Sequence, residues 1–236
     1  MSEALQFCDQ AAFFSEEARY SAGLMRGNIL LELGDATGAL SAFDSLAEPG
    51  QRDFEVDCAR GMALFELARF PEAEAALKSA VSDGPHLAQA LHTLGLIAEF
   101  KGSGEEVQWF REARLIEPDR YGHRAQLSNG EFRQRVEEAI AELPTDFIKV
   151  VEEIPIVVSE LPIVNESYQL NPPISPLSLA MLVGVAVAEE ARSQDLEPIL
   201  FLFKRNIERA FPEKEGMKSA IRRAIIRHFA EMLGFH

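Results

Sequence analysis

Leu31-Glu32-Leu33-Gly34-Asp35, Phe65-Glu66-Leu67-Ala68-Arg69 and Ala98-Glu99-Phe100-Lys101-Gly102 are three versions of one short phrase, with a small residue recurring every 34 positions at Gly34, Ala68 and Gly102. Two further columns keep the interval: Gly27, Gly61 and Gly95, then Ala39, Ala73 and Val107. Phe43 and Leu77 fill a large-residue column, and Ala80 and Pro118 fall near the ends of their copies. The third copy slips by one residue near Trp109-Phe110. A period of this length is one supersecondary unit repeated, which buries its apolar face by stacking on the next copy.

Taken together, these columns resemble the tetratricopeptide repeat, which implies pairs of antiparallel helices that approach closely where the small residues lie. The resemblance spans about residues 20–118, with Ala4 to Glu17 available as a capping helix, and it implies an all-α repeat domain over residues 1–120. Such arrays expose a groove lined by the first helix of each pair. Carrying the period forward puts Asn28, Leu31, Glu32, Met62, Phe65, Glu66, Leu96 and Glu99 on or near that groove. This mixture of apolar and acidic side chains suits a protein or peptide partner with basic residues; packing within the array is the competing use for the same positions.

The 236 residues, 47% of them hydrophobic, describe a folded chain with room for one large domain or two modest ones. The formal net charge of −15 argues against a general affinity for nucleic acid or an anionic membrane. The charge is uneven: residues 1–127 carry 21 acids and 11 bases, whereas Lys204 to Arg227 carries eight bases against three acids. The start, Met1-Ser2-Glu3-Ala4-Leu5, lacks the basic and apolar regions of a signal peptide, and the apolar run Leu177 to Ala188 is too short to span a bilayer. Cys8 and Cys58 stand in no metal or redox spacing, so reduced thiols and a cytoplasmic location are the expectation.

After a polar linker at Asp119 to Ala125, Ser128-Asn129-Gly130-Glu131 has the form of a capping box, and the spacing of Phe132, Val136, Ile140 and Leu143 predicts a helix ending at Pro144. Ile154-Pro155-Ile156-Val157-Val158 and Pro198-Ile199-Leu200-Phe201-Leu202-Phe203 read as strands. Asn171 to Pro176 reads as a loop, and a last helix runs from about Lys214 to Leu233, with Gly234 as its cap.

In this order, the stretches Val136-Glu137-Glu138-Ala139-Ile140 with Leu143-Pro144, Pro155 to Val158, Pro172 to Pro176, Ile199 to Ala210 and Ile221 to Phe235 resemble the small bacterial zincin-like metallopeptidases. The resemblance covers residues 128–236 and implies a small α+β domain behind the repeats, so that the chain as a whole is α+β. An ungapped fit of the final helix puts Arg227 at the family's first zinc histidine, His228 at its catalytic glutamate and Glu231 at its second histidine. The resemblance implies a further ligand a few residues past the glycine, and the sequence runs two residues beyond Gly234.

Zinc ligation needs a lone pair, which the protonated guanidinium of Arg227 does not offer, and the base that would polarise zinc-bound water is replaced by a histidine. No metal and no other cofactor is therefore expected. Arg227 and Glu231 form an i, i+4 pair of opposite charge, and the apolar Ala224, Ile225, Ile226, Phe229, Met232 and Leu233 around them predict that the pair is buried in the vacated cleft. His228 continues a stripe with Met217, Ile221, Ala224, Ile225 and Met232, where a core or interface role is the ordinary one. Glu189 and Glu190 are adjacent and read as a solvated loop rather than a catalytic pair. The sequence thus points to a non-catalytic protein–protein interaction scaffold, a repeat module joined to a pseudo-metallopeptidase. The alternative is a zinc-dependent peptidase with a rearranged site drawn from His228, Glu231 and His236.

Overall fold

A computed structural model describes residues 4–6, 8, 15–47, 53–82, 88–122, 126–163, 174–184 and 197–233. The chain divides into two compact units. The first comprises residues 1–122 with residues 165–176, and the second comprises residues 123–164 and 177–236.

The first unit is a stack of helical hairpins: α1 (Glu16–Glu32) with α2 (Ala36–Asp44), α3 (Phe54–Glu66) with α4 (Phe70–Ser82), and α5 (Ala88–Lys101) with α6 (Glu106–Ile116), followed by a single turn, α7 (Pro118–Tyr121). Each first helix packs on its own second helix, and each second helix packs on the first helix of the next hairpin. The glycine column sits at the tightest crossings. A Cβ on Gly27 would lie 2.2 Å from Phe43, one on Gly61 2.5 Å from Leu77, and one on Gly95 2.6 Å from Phe110. Phe110 rather than residue 111 meets Gly95, which is the slip seen in the sequence. Its consequence is that Ala39 and Ala73 are fully buried whereas Val107, in the same 34-residue column, is 70% exposed.

The three turns share one geometry. The Gly34 amide donates to Leu31 and the Asp35 amide to Leu30; Ala68 donates to Phe65 and Arg69 to Leu64; Gly102 donates to Glu99 and Ser103 to Ala98. These paired bonds are the Schellman ending of a helix, which requires a left-handed residue. The φ values are +79° at Gly34, +57° at Ala68 and +62° at Gly102. Polar links complete the stack: Tyr20 donates to Asp53, the N-cap of α3, at 2.6 Å; Arg60 donates to Asp44 at 2.6 Å; and Lys101 donates to Glu74 at 2.6 Å. The predicted linker begins as structure, since Asp119 to Tyr121 are helical and the Tyr121 ring stacks 4.6 Å from His92 of α5. Residues 4–6 and 8 of the expected capping segment are helical, while Glu16 and Glu17 open α1 behind the Ser15 cap.

The second unit sets helices against a three-stranded sheet of order β1-β3-β2, with β1 (Ile156–Ser159) parallel and β2 (Ala180–Val183) antiparallel to the central β3 (Ile199–Phe203). Helix α8 (Asn129–Ala141) starts with the predicted capping box, in which Ser128 Oγ accepts from the Glu131 amide and Glu131 accepts from the Ser128 amide. Helix α8 stops at Ala141, shortly before Pro144 as expected, and Pro144 is also the N-cap of a further helix, α9 (Thr145–Glu153). Helix α10 (Lys204–Ala210) leaves β3 directly, and α11 (Lys214–Leu233) packs on α8, α9, α10 and β2. Phe132, Val136, Leu200, Leu202, Ile207, Ile221, Ile225 and Phe229 form the core. Leu200 and Leu202 are fully buried because β3 is the inner strand. Mostly helical, with one small sheet, the chain is α+β. No helix among the described residues is long and apolar enough to cross a membrane.

Candidate functional site

Within the array, the first helices of successive hairpins approach one another more closely than the second helices do, so α1, α3 and α5 line the inside of its curve. The residues read as groove-lining separate into two groups. Phe65 and Leu96 are only 2% and 3% exposed and belong to the array's core. Leu31 and Met62 are half-buried against that core. Asn28 and Glu32 are exposed, and Glu66 and Glu99 are half-buried. An open groove of about 440 Å³ lies on α1, lined by Leu24, Met25, Asn28, Ile29 and Glu32 together with Tyr20 and with Glu55 of α3. Met25, 59% exposed, supplies an apolar foothold between the carboxylates. The surface is apolar at its floor and acidic at its rim, which favours a chain carrying both apolar and cationic groups.

Glu32, Glu66 and Glu99 each lie at or near the C-terminal end of the first helix of a hairpin; Glu32 and Glu66 share one column of the 34-residue repeat, whereas Glu99 falls one residue early, in the column of Leu31 and Phe65. Glu66 is the most distinctive. Burial pushes its carboxyl above the ordinary value, and the Ser175 hydroxyl, which donates to Oε2, pulls it partly back. Sequence reasoning did not find Ser175. It lies 109 residues from Glu66, and no local pattern announces a contact of that range.

The closing helix of the second unit presents its three singled-out residues differently. Arg227 and Glu231 do pair, Nε to Oε1 at 3.0 Å, but on the outside: their side chains are 74% and 53% exposed. The expectation of a buried pair filling a cleft is therefore corrected. The apolar neighbours Ile225 and Phe229 turn inward to the core and leave Arg227 and Glu231 on the solvent face of α11. His228 is the residue that points toward the sheet. Its side chain is 18% exposed, hydrogen-bonded to the Ala180 backbone in β2, with Nδ1 3.6 Å from Glu231. Burial holds its pKa below the ordinary histidine value, and Glu231 opposes this only in part.

No group of three metal-capable side chains occurs among the described residues. His236, Gly234, Glu189 and Glu190 lie outside them. Cys58, buried, has its thiol pushed up to about 11 by desolvation and the nearby Glu55, which makes it a poor nucleophile.

A polar knot at the end of β3 was also not anticipated. Lys204 and Glu208 are only 6% and 5% exposed. Lys204 Nζ lies 3.5 Å from Glu160 and 3.9 Å from Glu208, the Glu208 carboxylate accepts from the Leu127 amide at 2.9 Å, and Asn206 donates to the Ser178 carbonyl at 2.8 Å. These bonds tie the segments before α8, after β1 and before β2 to one helical turn. The buried members, Lys204, Asn206 and Glu208, each face another protein group, which makes the knot a fastening.

No protein-family model matches this chain, and no curated protein is found to be similar to it.

Proposed function

We propose that the chain is a non-catalytic interaction protein: a tetratricopeptide-type array that takes a basic, apolar-anchored peptide on its inner face, joined to a domain of zincin-like ancestry that lacks the means of peptide hydrolysis. The observation that carries the proposal is the acidic groove on α1, where Asn28, Glu32 and Met25 are exposed together beside Glu55 of α3. The donor set of α11 supports the second half of it. Arg227 brings only hydrogen-bond donors and a positive charge to the helix position a zinc ligand would need. Among the described residues, this helix offers one imidazole and one carboxylate, His228 and Glu231, where a catalytic zinc takes three protein ligands.

The test is a fluorescence-anisotropy titration of a labelled peptide that alternates lysine with leucine, against the full chain and its Glu32→Lys/Glu55→Lys variant. Binding that weakens about tenfold or more in the variant, and that also weakens with added salt, supports the groove. Equal binding by the two proteins refutes it.

A further inference from the structure

Ile174, Ser175 and Pro176 cluster with the repeat unit and not with the sheet unit that follows them directly in sequence. Pro176 is buried there and Ser175 is half-buried, its hydroxyl donating to Glu66 at the end of α3. The chemistry of Glu66 makes this contact informative. Burial raises the pKa of its carboxyl and, among the described residues, the Ser175 hydroxyl offsets that in part. A desolvated carboxylate without a cation is costly unless donors reach it. The first hairpin places Glu32 at the equivalent position, whereas the third has Phe100 there, so Glu32 and Glu66 share one column and Glu66 is the one engaged by Ser175.

We propose that Ile174-Ser175-Pro176 is a built-in occupant of the inner face, holding Glu66 until a competing peptide rich in hydroxyl or ammonium donors displaces it. This rests on the reading of the inner face as a peptide groove and adds its regulation. A tethered segment competes at an effective concentration of roughly millimolar order, so even a weak internal contact lowers the apparent affinity for an outside peptide severalfold. Proline at 176 suits the role, because its fixed φ reduces the freedom lost when the segment docks.

The experiment uses the full chain, wild type and Ser175→Asp, whose added charge faces Glu66. Hydrogen exchange over the peptic fragment containing residues 174–180 reads release of the segment, and the labelled lysine–leucine peptide reads access to the groove. Ser175→Ala, which removes the donor without adding charge, guards against a folding defect, and circular dichroism confirms that both variants retain their helices. The proposal expects at least tenfold faster exchange and about fivefold or tighter peptide binding in Ser175→Asp, with a smaller change of the same sign in Ser175→Ala. Unchanged exchange in both variants overturns it and leaves the groove standing. Faster exchange with peptide affinity equal to wild type also overturns it, since the released segment then did not compete. Faster exchange with no peptide binding by any of the proteins overturns the groove reading itself.

Discussion

Ala68 occupies a backbone position that its two counterparts in the repeat fill with glycine, and the consequence can be worked out. Its φ of +57° is left-handed, as are Gly34 at +79° and Gly102 at +62°. A residue with a Cβ pays about 1–2 kcal/mol to stand there. Replacing alanine by glycine removes that cost but gives the unfolded chain more freedom, worth about 0.4–1 kcal/mol in the opposite direction. Ala68→Gly should therefore stabilise the array by about 0.5–1 kcal/mol, or roughly 1–4 °C in melting temperature. The reciprocal changes make the argument sharper. A Cβ built on Gly34 or Gly102 meets nothing within 4 Å, so Gly34→Ala and Gly102→Ala isolate the backbone term and should each destabilise by about 1 kcal/mol. Trp109 is the chain's single tryptophan and packs against the array's core, so its fluorescence during urea unfolding reports on this unit alone. If Ala68→Gly leaves the midpoint unchanged or lowers it while Gly34→Ala and Gly102→Ala are silent, the three turns are not equivalent and the repeat reading of the array fails.

The second unit yields three further expectations. Lys204→Met strands the buried Glu208 carboxylate and should cost about 3–5 kcal/mol in urea unfolding followed by circular dichroism, with Lys204→Met/Glu208→Gln recovering most of the loss. His228 has a folded pKa below its unfolded value of 6.5, so the folded state binds fewer protons between the two. Its contribution is thus present above the unfolded pKa and lost as pH falls through the folded one; between about pH 7 and pH 5 the melting temperature should drop more steeply in wild type than in His228→Leu. Arg227→Ala breaks an exposed pair in the weaker orientation, worth at most ~0.2–0.5 kcal/mol, and should move the melting temperature by less than about 2 °C in a thermal scan.

Much of the array was legible because its signals are local and repeated. A small residue at a left-handed turn and a glycine beneath a large side chain leave marks 34 residues apart, and both prove to be where helices end and cross. The same columns misled at Phe65 and Leu96. Helical periodicity places a residue on a face without saying whether the neighbouring helix covers that face, and here it does. Helix α9 was missed because Pro144 was read as a stop, although a proline also fits the start of a helix, where its absent amide costs nothing. Strand β2 lay inside the unbroken apolar run from Leu177, which has neither a two-residue nor a helical rhythm to declare it. The burial expected for Arg227 and Glu231 failed because the apolar residues beside them in sequence point to the other side of α11. The contacts of Ser175 with Glu66 and of Glu208 with Leu127 join residues 109 and 81 positions apart, and only the folded chain shows them.

The account rests on where a bound peptide lands, and a hydrogen-exchange footprint of the labelled lysine–leucine peptide on the full chain answers that directly. It predicts slowed exchange in α1 and α3 around Asn28, Glu32, Met62 and Glu66, extending toward Glu99, with the sheet and α11 unchanged. Protection centred on α11 and β2 around His228, with the first helices of the array unaffected, would contradict it.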